Sequence, residues 1–233
     1  EYEQLEAIGR GSYSVNYMIK NKKTGQLFAA KVSLVDLKIP FPKFSNKFLM
    51  EADIMSKINY PSIIKFVGFN PVDFNGAIKP TIVTEYLPNG SLSFITKKKP
   101  VPKQWNPTKR LITIFGIVAG MSYLHEHSIL HNDLKPSNVL LDNKLYPKIT
   151  DFGLSHIMKD LNDESLDGSK VKGTPMYIAP EVLENQTYSY SSDVYSFAFL
   201  LYEIIYMENP YVNTTTMKIF YDATKNIRPK LPT

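Results

Sequence analysis

The chain has 233 residues, 43% hydrophobic and 21% charged, which excludes wholesale disorder and leaves room for one or two packed domains. Its net charge is +5, but the positive residues are mostly scattered lysines, and the arginines are Arg10, Arg110 and Arg228 alone. Guanidinium groups suit base edges and phosphates, so no nucleic-acid partner is expected. The absence of cysteine excludes disulfides, thiolate metal sites and a thiol nucleophile, and it fits a reducing compartment. The expected location is therefore cytoplasmic.

The first residues, Glu1-Tyr2-Glu3-Gln4, lack the basic start of a secretory leader. Short β-prone runs follow at Leu5 to Ile8, Val15 to Ile19 and Leu27 to Leu34, with a hairpin loop at Asn21 to Gly25. Phe44 to Ile58 has helical spacing, with Phe48, Ala52, Met55 and Ile58 on one face, and Tyr60-Pro61 ends it. Ile63 to Phe69 and Thr81 to Tyr86 complete five strands around one helix. Pro88-Asn89-Gly90 marks a boundary, and Lys97-Lys98-Lys99 beside Pro100 and Pro102 reads as a solvated loop.

Asn106-Pro107 predicts a cap and first helical position for a Lys109 to His127 helix. Ser191-Ser192-Asp193 predicts the cap of a second. Their apolar stretches, Leu111 to Leu124 and Val194 to Met207, fall short of the roughly 20 residues a membrane span needs. Gly116 and Gly120 form a Gly-x-x-x-Gly pair, but Thr113 and Ser122 interrupt the run, and two buried helices with no membrane span are expected. His125-Glu126-His127 ends the first helix, where imidazole complements the helix dipole, so a structural role is expected over a metal site.

The strongest chemical signal is His131-Asn132-Asp133-Leu134-Lys135-Pro136-Ser137-Asn138, followed 13 residues after Asn138 by Asp151-Phe152-Gly153. Together these resemble the catalytic-loop and metal-loop motifs of eukaryotic protein kinases, and the resemblance runs along essentially the whole chain. It implies an α+β, two-lobed protein-kinase-like fold with ATP in the cleft. Residues 1–87 would form a five-stranded antiparallel N-lobe with one helix and the ATP-binding loop. Residues 88–233 would form a mainly helical C-lobe with the catalytic and activation loops.

By the same resemblance, Asp133 is the base that receives the substrate hydroxyl proton and Lys135 holds the γ-phosphate. Asn138 and Asp151 match the two positions that bind Mg2+, a cation that prefers oxygen ligands. Phe28-Ala29-Ala30-Lys31-Val32 is similar to the strand motif whose lysine, Lys31, pairs the α- and β-phosphates, with Glu51 orienting it. Gly9-Arg10-Gly11-Ser12-Tyr13-Ser14 resembles the glycine-rich phosphate loop, where glycine lets backbone amides approach oxygen. Thr84-Glu85-Tyr86-Leu87 resembles the hinge on the adenine edge, with Thr84 as gatekeeper. Ala29 and Leu140 match the residues that sandwich adenine, and Met55, Phe66, His131 and Phe152 match the family's stacked apolar column. Taken singly, Lys31 is a surface strand lysine and Ala29 and Leu140 are ordinary core residues.

Asp151 to Glu181 resembles an activation loop ending in Ala179-Pro180-Glu181, with Thr174 placed to hydrogen-bond Asp133 and Lys135. Thr174 and Lys135-Pro136-Ser137-Asn138 imply serine/threonine specificity for protein acceptors. Ser191 to Phe197 is similar to the tyrosine-kinase-like group, with Asp193 bracing the catalytic loop. Ser165, Ser169 and Thr174 are candidate phosphosites.

Four departures temper the resemblance. Ser14 stands at the third loop glycine, and Asn16 stands where the family packs valine on adenine, predicting weaker ATP binding. Asn132 replaces the arginine that pairs with a phosphorylated activation loop, so no strict dependence on that phosphorylation is expected. The sequence stops soon after Asn226-Ile227-Arg228-Pro229, where the family continues with helices bearing an arginine partner for the glutamate aligned to Glu181. Either the chain is a fragment or its C-lobe is shortened, with Glu181 unpaired. A pseudokinase scaffold is the alternative function, and a small-molecule kinase is disfavoured by Gly173 to Glu181.

Overall fold

The computed structural model describes residues 1–35, 42–158 and 171–232. The chain divides into two units, Glu1–Pro88 and Asn89–Thr233.

The first unit is a five-stranded antiparallel sheet in the order β1-β2-β3-β5-β4, with one helix. Its elements are β1 (Tyr2–Arg10), β2 (Ser14–Asn21), β3 (Leu27–Ser33), α1 (Pro42–Lys57), β4 (Phe66–Asn70) and β5 (Thr81–Glu85). Asn21 builds the β2–β3 turn: its side-chain oxygen accepts from the Lys23 and Thr24 backbone N–H groups at 2.9 and 3.0 Å. Gly25 closes that turn at φ 73°, a conformation glycine adopts without steric cost. Phe48, Ala52 and Met55 of α1 are buried, as their spacing requires, and Ile58 just beyond the helix is buried with them. The fourth strand begins at Phe66 rather than Ile63, because Tyr60 to Ile63 is a turn in which the Ile63 N–H donates to the Tyr60 carbonyl.

Strand register decides which residues share a face. Asn16 pairs with Lys31 and Met18 with Ala29, while Ala29 pairs with Thr84 and Lys31 with Ile82. Since side chains alternate along a strand, Asn16, Ala29, Lys31 and Thr84 share one face. The opposite face packs Ile19, Ala30 and Val83 with Tyr2, Tyr17, Phe28 and Phe74.

The second unit contains α2 (Leu92–Thr96), α3 (Pro107–Glu126), β6 (Ile129–Leu130), β7 (Val139–Leu141), β8 (Pro147–Ile149), β9 (His156–Ile157), α4 (Pro180–Asn185), α5 (Tyr190–Tyr206) and α6 (Thr216–Thr224). Short ladders join β6 to β9 and β7 to β8. Asn106 caps α3 by accepting from the Lys109 N–H at 3.0 Å, with Pro107 at the first helical position. Thr113, Ile117, Gly120, Met121 and Leu124 bury one stripe of α3. The expected buried helix is buried along this stripe, while Leu111 and Phe115 are 66% and 75% exposed.

The cap of α5 also differs from expectation. Ser189, not Ser191 to Asp193, is the cap: it accepts from the Ser192 N–H, and the Ser192 hydroxyl returns to the Ser189 N–H. This reciprocal arrangement frees Asp193 to point inward from the first turn, where it is 1% exposed. No helix among the described residues is long and apolar enough to cross a membrane.

Candidate active site

Asp193 organises the loop that carries Asp133. Its Oδ2 accepts from the His131 N–H at 2.9 Å, and its Oδ1 accepts from the Asn132 N–H at 2.8 Å. His125 Nε2 lies 3.0 Å from Asp193 Oδ2, so His125 partners a carboxylate on α5 rather than only complementing its own helix end. His131 is fully buried, with Nε2 3.1 Å from the Thr150 carbonyl and Nδ1 facing the Asp133 N–H. Those partners suit the neutral Nε2–H tautomer and a structural part. Its ring packs on Phe152 at 5.5 Å between centroids.

The loop then presents a connected set of polar groups. Lys135 Nζ donates to Asp133 Oδ2 at 2.5 Å and to Thr174 Oγ1 at 2.6 Å. The Thr174 hydroxyl donates to Asp133 Oδ1 at 2.9 Å. Asn138 Nδ2 donates to the Asp133 carbonyl at 2.9 Å and to Asp133 Oδ2 at 3.0 Å. Both oxygens of a nearly buried carboxylate are thus oriented, and an anion in such surroundings is stabilised by charge-assisted bonds.

The β7–β8 ladder brings the candidate metal ligands into neighbouring positions. Val139 pairs with Ile149, and the Thr150 N–H donates to the Asn138 carbonyl at 2.9 Å. Asp151 follows at once, with φ 66°. The Asn138 amide nitrogen is turned to Asp133, and its side-chain oxygen, which accepts only a long bond from the Ser137 hydroxyl at 3.5 Å, is the atom suited to a cation. One amide oxygen and one carboxylate form a hard donor set that fits magnesium, which fills its other positions with phosphate oxygens and water.

In the first unit, Lys31 Nζ donates to both oxygens of Glu51, at 2.7 and 2.8 Å. The Glu51 side chain is 5% exposed and that of Lys31 is 23% exposed. The segment from Gly9 to Ser14 turns between β1 and β2: the Gly11 N–H donates to the Ser14 carbonyl at 2.8 Å, while Tyr13 projects outward. Gly9 pairs with Asn16, whose Nδ2 would lie 3.5 Å from any Cβ added at Gly9. The Asn16 amide therefore lies beside the turn. Of the hinge residues, Thr84 and Leu87 are buried, and the Glu85 carboxylate accepts from the Lys65 N–H at 2.8 Å. Ala29 is half-buried in the first unit, as is Leu140 in the second.

The segment after Gly173 is fastened to α5. Ser196 donates to the Tyr177 carbonyl at 2.7 Å, and the Tyr177 hydroxyl donates to Glu203. Burial pushes the Tyr177 phenol well above its ordinary range, with Glu203 adding to the effect. Burial also raises Glu203, opposed by the Tyr177 bond and by Lys97. Sequence reasoning missed Glu203, although it is the one charged residue within the apolar run Val194 to Met207. A charge in such a run signals a buried partner. Nearby, the Arg228 guanidinium lies 5.3 Å from the centre of the Tyr195 ring. Burial holds the Tyr195 phenol at about 12, with Arg228 pulling it down and Tyr211 and Glu181 pushing it up. The candidate phosphosites Ser165 and Ser169 lie outside the described residues.

Residues 2–231 match the family model described as protein kinase domain. A probable serine/threonine-protein kinase, drkC, of Dictyostelium discoideum is 38% identical over 81% of this chain and 25% of its own length. The dual specificity protein kinase shkB of the same organism is 39% identical over 71% of this chain and 25% of its own length. The serine/threonine-protein kinase CTR1 of Arabidopsis thaliana is 35% identical over 75% of this chain and 21% of its own length. The match therefore spans about a quarter of each relative or less.

Proposed function

This chain belongs to the protein kinase family, and from that premise we propose that the protein transfers the γ-phosphate of ATP to serine and threonine hydroxyls of other proteins. The observation that carries the reading is the oriented Asp133 carboxylate, which accepts from Lys135, Thr174 and Asn138 together.

In this mechanism the acceptor oxygen attacks the γ-phosphorus as the bond to the bridging β–γ oxygen breaks. Asp133 receives the acceptor's proton, and Lys135 meets the charge gathering on the transferred group. Thr174 holds Asp133 and Lys135 in register. Lys31, oriented by Glu51, pairs the α- and β-phosphates. Gly9, Gly11, Ser12, Tyr13 and Ser14 close over them, while Ala29, Thr84, Glu85, Leu87 and Leu140 receive the adenine. Asn138 and Asp151 would hold magnesium, which neutralises phosphate charge and orients the triphosphate.

A scaffold that binds nucleotide but turns over poorly is the reading that Ser14, Asn16 and Asn132 raise. Against it stands the retention of Lys31, Glu51, Asp133, Lys135, Asn138, Asp151 and Thr174, since a scaffold has no need to keep so many phosphate and metal groups. Transfer of label from γ-labelled ATP to a protein substrate, compared with Asp133→Asn, separates the two. Label on serine or threonine that vanishes in the variant supports the kinase. Label on tyrosine as well shifts the reading to dual specificity, as in the name of the second relative. Silence of the parent with nucleotide binding intact supports the scaffold.

A further inference from the structure

We propose that Asn132 is a positioning residue, an uncharged staple that fixes the Asp133 loop against the start of the segment from Asp151 to Glu181; this rests on the kinase reading of that loop. Two hydrogen bonds and one steric limit meet at it. Its backbone N–H donates to Asp193 Oδ1 at 2.8 Å, its side-chain Nδ2 donates to the Leu154 carbonyl at 3.0 Å, and its own carbonyl lies 3.5 Å from where a Cβ on Gly173 would sit. One residue therefore bonds to both the anchor helix and the chain just after Asp151-Phe152-Gly153, with its carbonyl on the side where a Gly173 side chain would have to fit.

The backbone explains why asparagine suits the position. Asn132 has φ 64°, in the left-handed region that most side chains avoid and that asparagine enters at low cost. In that conformation the short amide reaches Leu154, which a hydrocarbon side chain cannot do. The neighbouring contact runs in the same sense: Ser155 Oγ donates to the His131 carbonyl at 3.2 Å. Two neutral bonds thus tie residues 131 and 132 to residues 154 and 155. Asn132 is buried, so solvent competes little for the bond. Gly173, at φ 125°, completes the fit on the other side, because a side chain there would crowd Ile178 at 3.2 Å.

Asp133 and Asp151 flank the stapled pieces, so loosening the staple misplaces them relative to each other without removing either. The expected signature is a loss in turnover with little change in ATP binding, since Asn132 contacts no group proposed to hold the nucleotide.

The test uses Asn132→Gly and Asn132→Asp in the full-length protein. Glycine keeps the left-handed backbone and the N–H bond to Asp193 but deletes the side-chain bond to Leu154; aspartate keeps size and backbone preference but sets an oxygen against the Leu154 carbonyl. Turnover, KM for ATP and amide hydrogen exchange of a peptide covering residues 152–157 are measured for each. Expected are a fall in kcat of about tenfold or more, a KM for ATP within about twofold of the parent, faster exchange in that peptide, and a larger loss with aspartate than with glycine. An active parent whose glycine variant matches it in both kcat and exchange overturns the proposal. If the parent transfers no phosphate, the kinase reading fails by itself; faster exchange in the glycine variant then still upholds the staple, and unchanged exchange removes it.

Discussion

Thr174 donates its hydroxyl hydrogen bond to Asp133 Oδ1 at 2.9 Å across a separation of 41 residues. Thr174 Oγ1 in turn accepts from Lys135 Nζ at 2.6 Å, so one hydroxyl links the proposed base to the proposed phosphate cation. Hydrogen bonds to charged groups are worth about 1.5–3 kcal/mol, which corresponds to roughly 10–100-fold in rate. Thr174→Ala is expected to lose that much kcat, while Thr174→Ser, which keeps the hydroxyl, stays within about threefold. Steady-state kinetics on both variants decide it; an alanine variant as fast as the parent removes Thr174 from the proposed machinery.

The Lys31–Glu51 pair has a structural and a chemical component that can be separated. Removing the lysine takes a bidentate cation from a carboxylate that is 5% exposed. Breaking such a pair costs about 3–5 kcal/mol, whereas replacing both partners with apolar groups is often neutral. Lys31→Met is therefore expected to lower stability and abolish transfer. The double variant Lys31→Met with Glu51→Leu should recover the stability and remain inactive. Denaturant midpoints and label transfer on the three proteins check this, and recovery of activity in the double variant would remove Lys31 from catalysis.

Glu203 gives a pH dependence with a definite sign. Burial raises its folded-state pKa above the ordinary 4.5, despite the opposing Tyr177 bond and Lys97. The folded state therefore holds the proton more tightly than the unfolded chain, and the resulting stability is full below the unfolded value. It is lost as pH rises through the folded one. Glu203→Gln keeps an acceptor for Tyr177 and removes the titration. Its stability relative to the parent is expected to rise from pH 4 toward neutrality, read as the difference in unfolding midpoints. A difference that is flat or falls with pH contradicts the assignment.

The catalytic loop was legible in the sequence because its chemistry is local: Asp133, Lys135 and Asn138 lie within six residues, and the β7–β8 register then places Asp151. The five-stranded sheet was legible from its short β-prone runs and its turn at Asn21 to Gly25. What was not legible depends on distant partners. The His125 side chain meets Asp193 68 residues later, and a reading of one helix end has no access to that carboxylate. Asn132 was read only as a missing charge, since neither its left-handed backbone nor the Leu154 carbonyl is visible in a motif. The α5 cap was misplaced by two residues because three serines near Asp193 offer equivalent local chemistry, and the reciprocal bond between Ser189 and Ser192 decides among them.

The neutral character of Asn132 has a regulatory consequence. A cationic side chain at this position could pair with a phosphate in the activation segment; an amide cannot form the charge-assisted pair. Phosphatase treatment of the purified protein is expected to leave kcat within about twofold of the untreated sample. A large fall on treatment, restored by rephosphorylation, would show that another cation in the chain serves the phosphate.

Asn16 shares a sheet face with Ala29, Lys31 and Thr84 through its pairing with Lys31, and its amide lies beside Gly9. A polar amide on a face proposed to receive adenine keeps a demand for hydrogen bonds that an apolar ring edge does not meet. Valine at this position would bury methyl groups against the base instead, a gain of about 1–2 kcal/mol by apolar burial. That corresponds to roughly 5–30-fold tighter nucleotide binding. Asn16→Val is expected to lower the dissociation constant for ATP by that factor with little change in kcat, because the substitution acts on the ring and not on the reacting phosphate. Calorimetric titration with ATP, and with adenosine as the ring alone, measures it. Tightening shared by both ligands upholds the contact with adenine, and tightening of neither places the base elsewhere on the sheet.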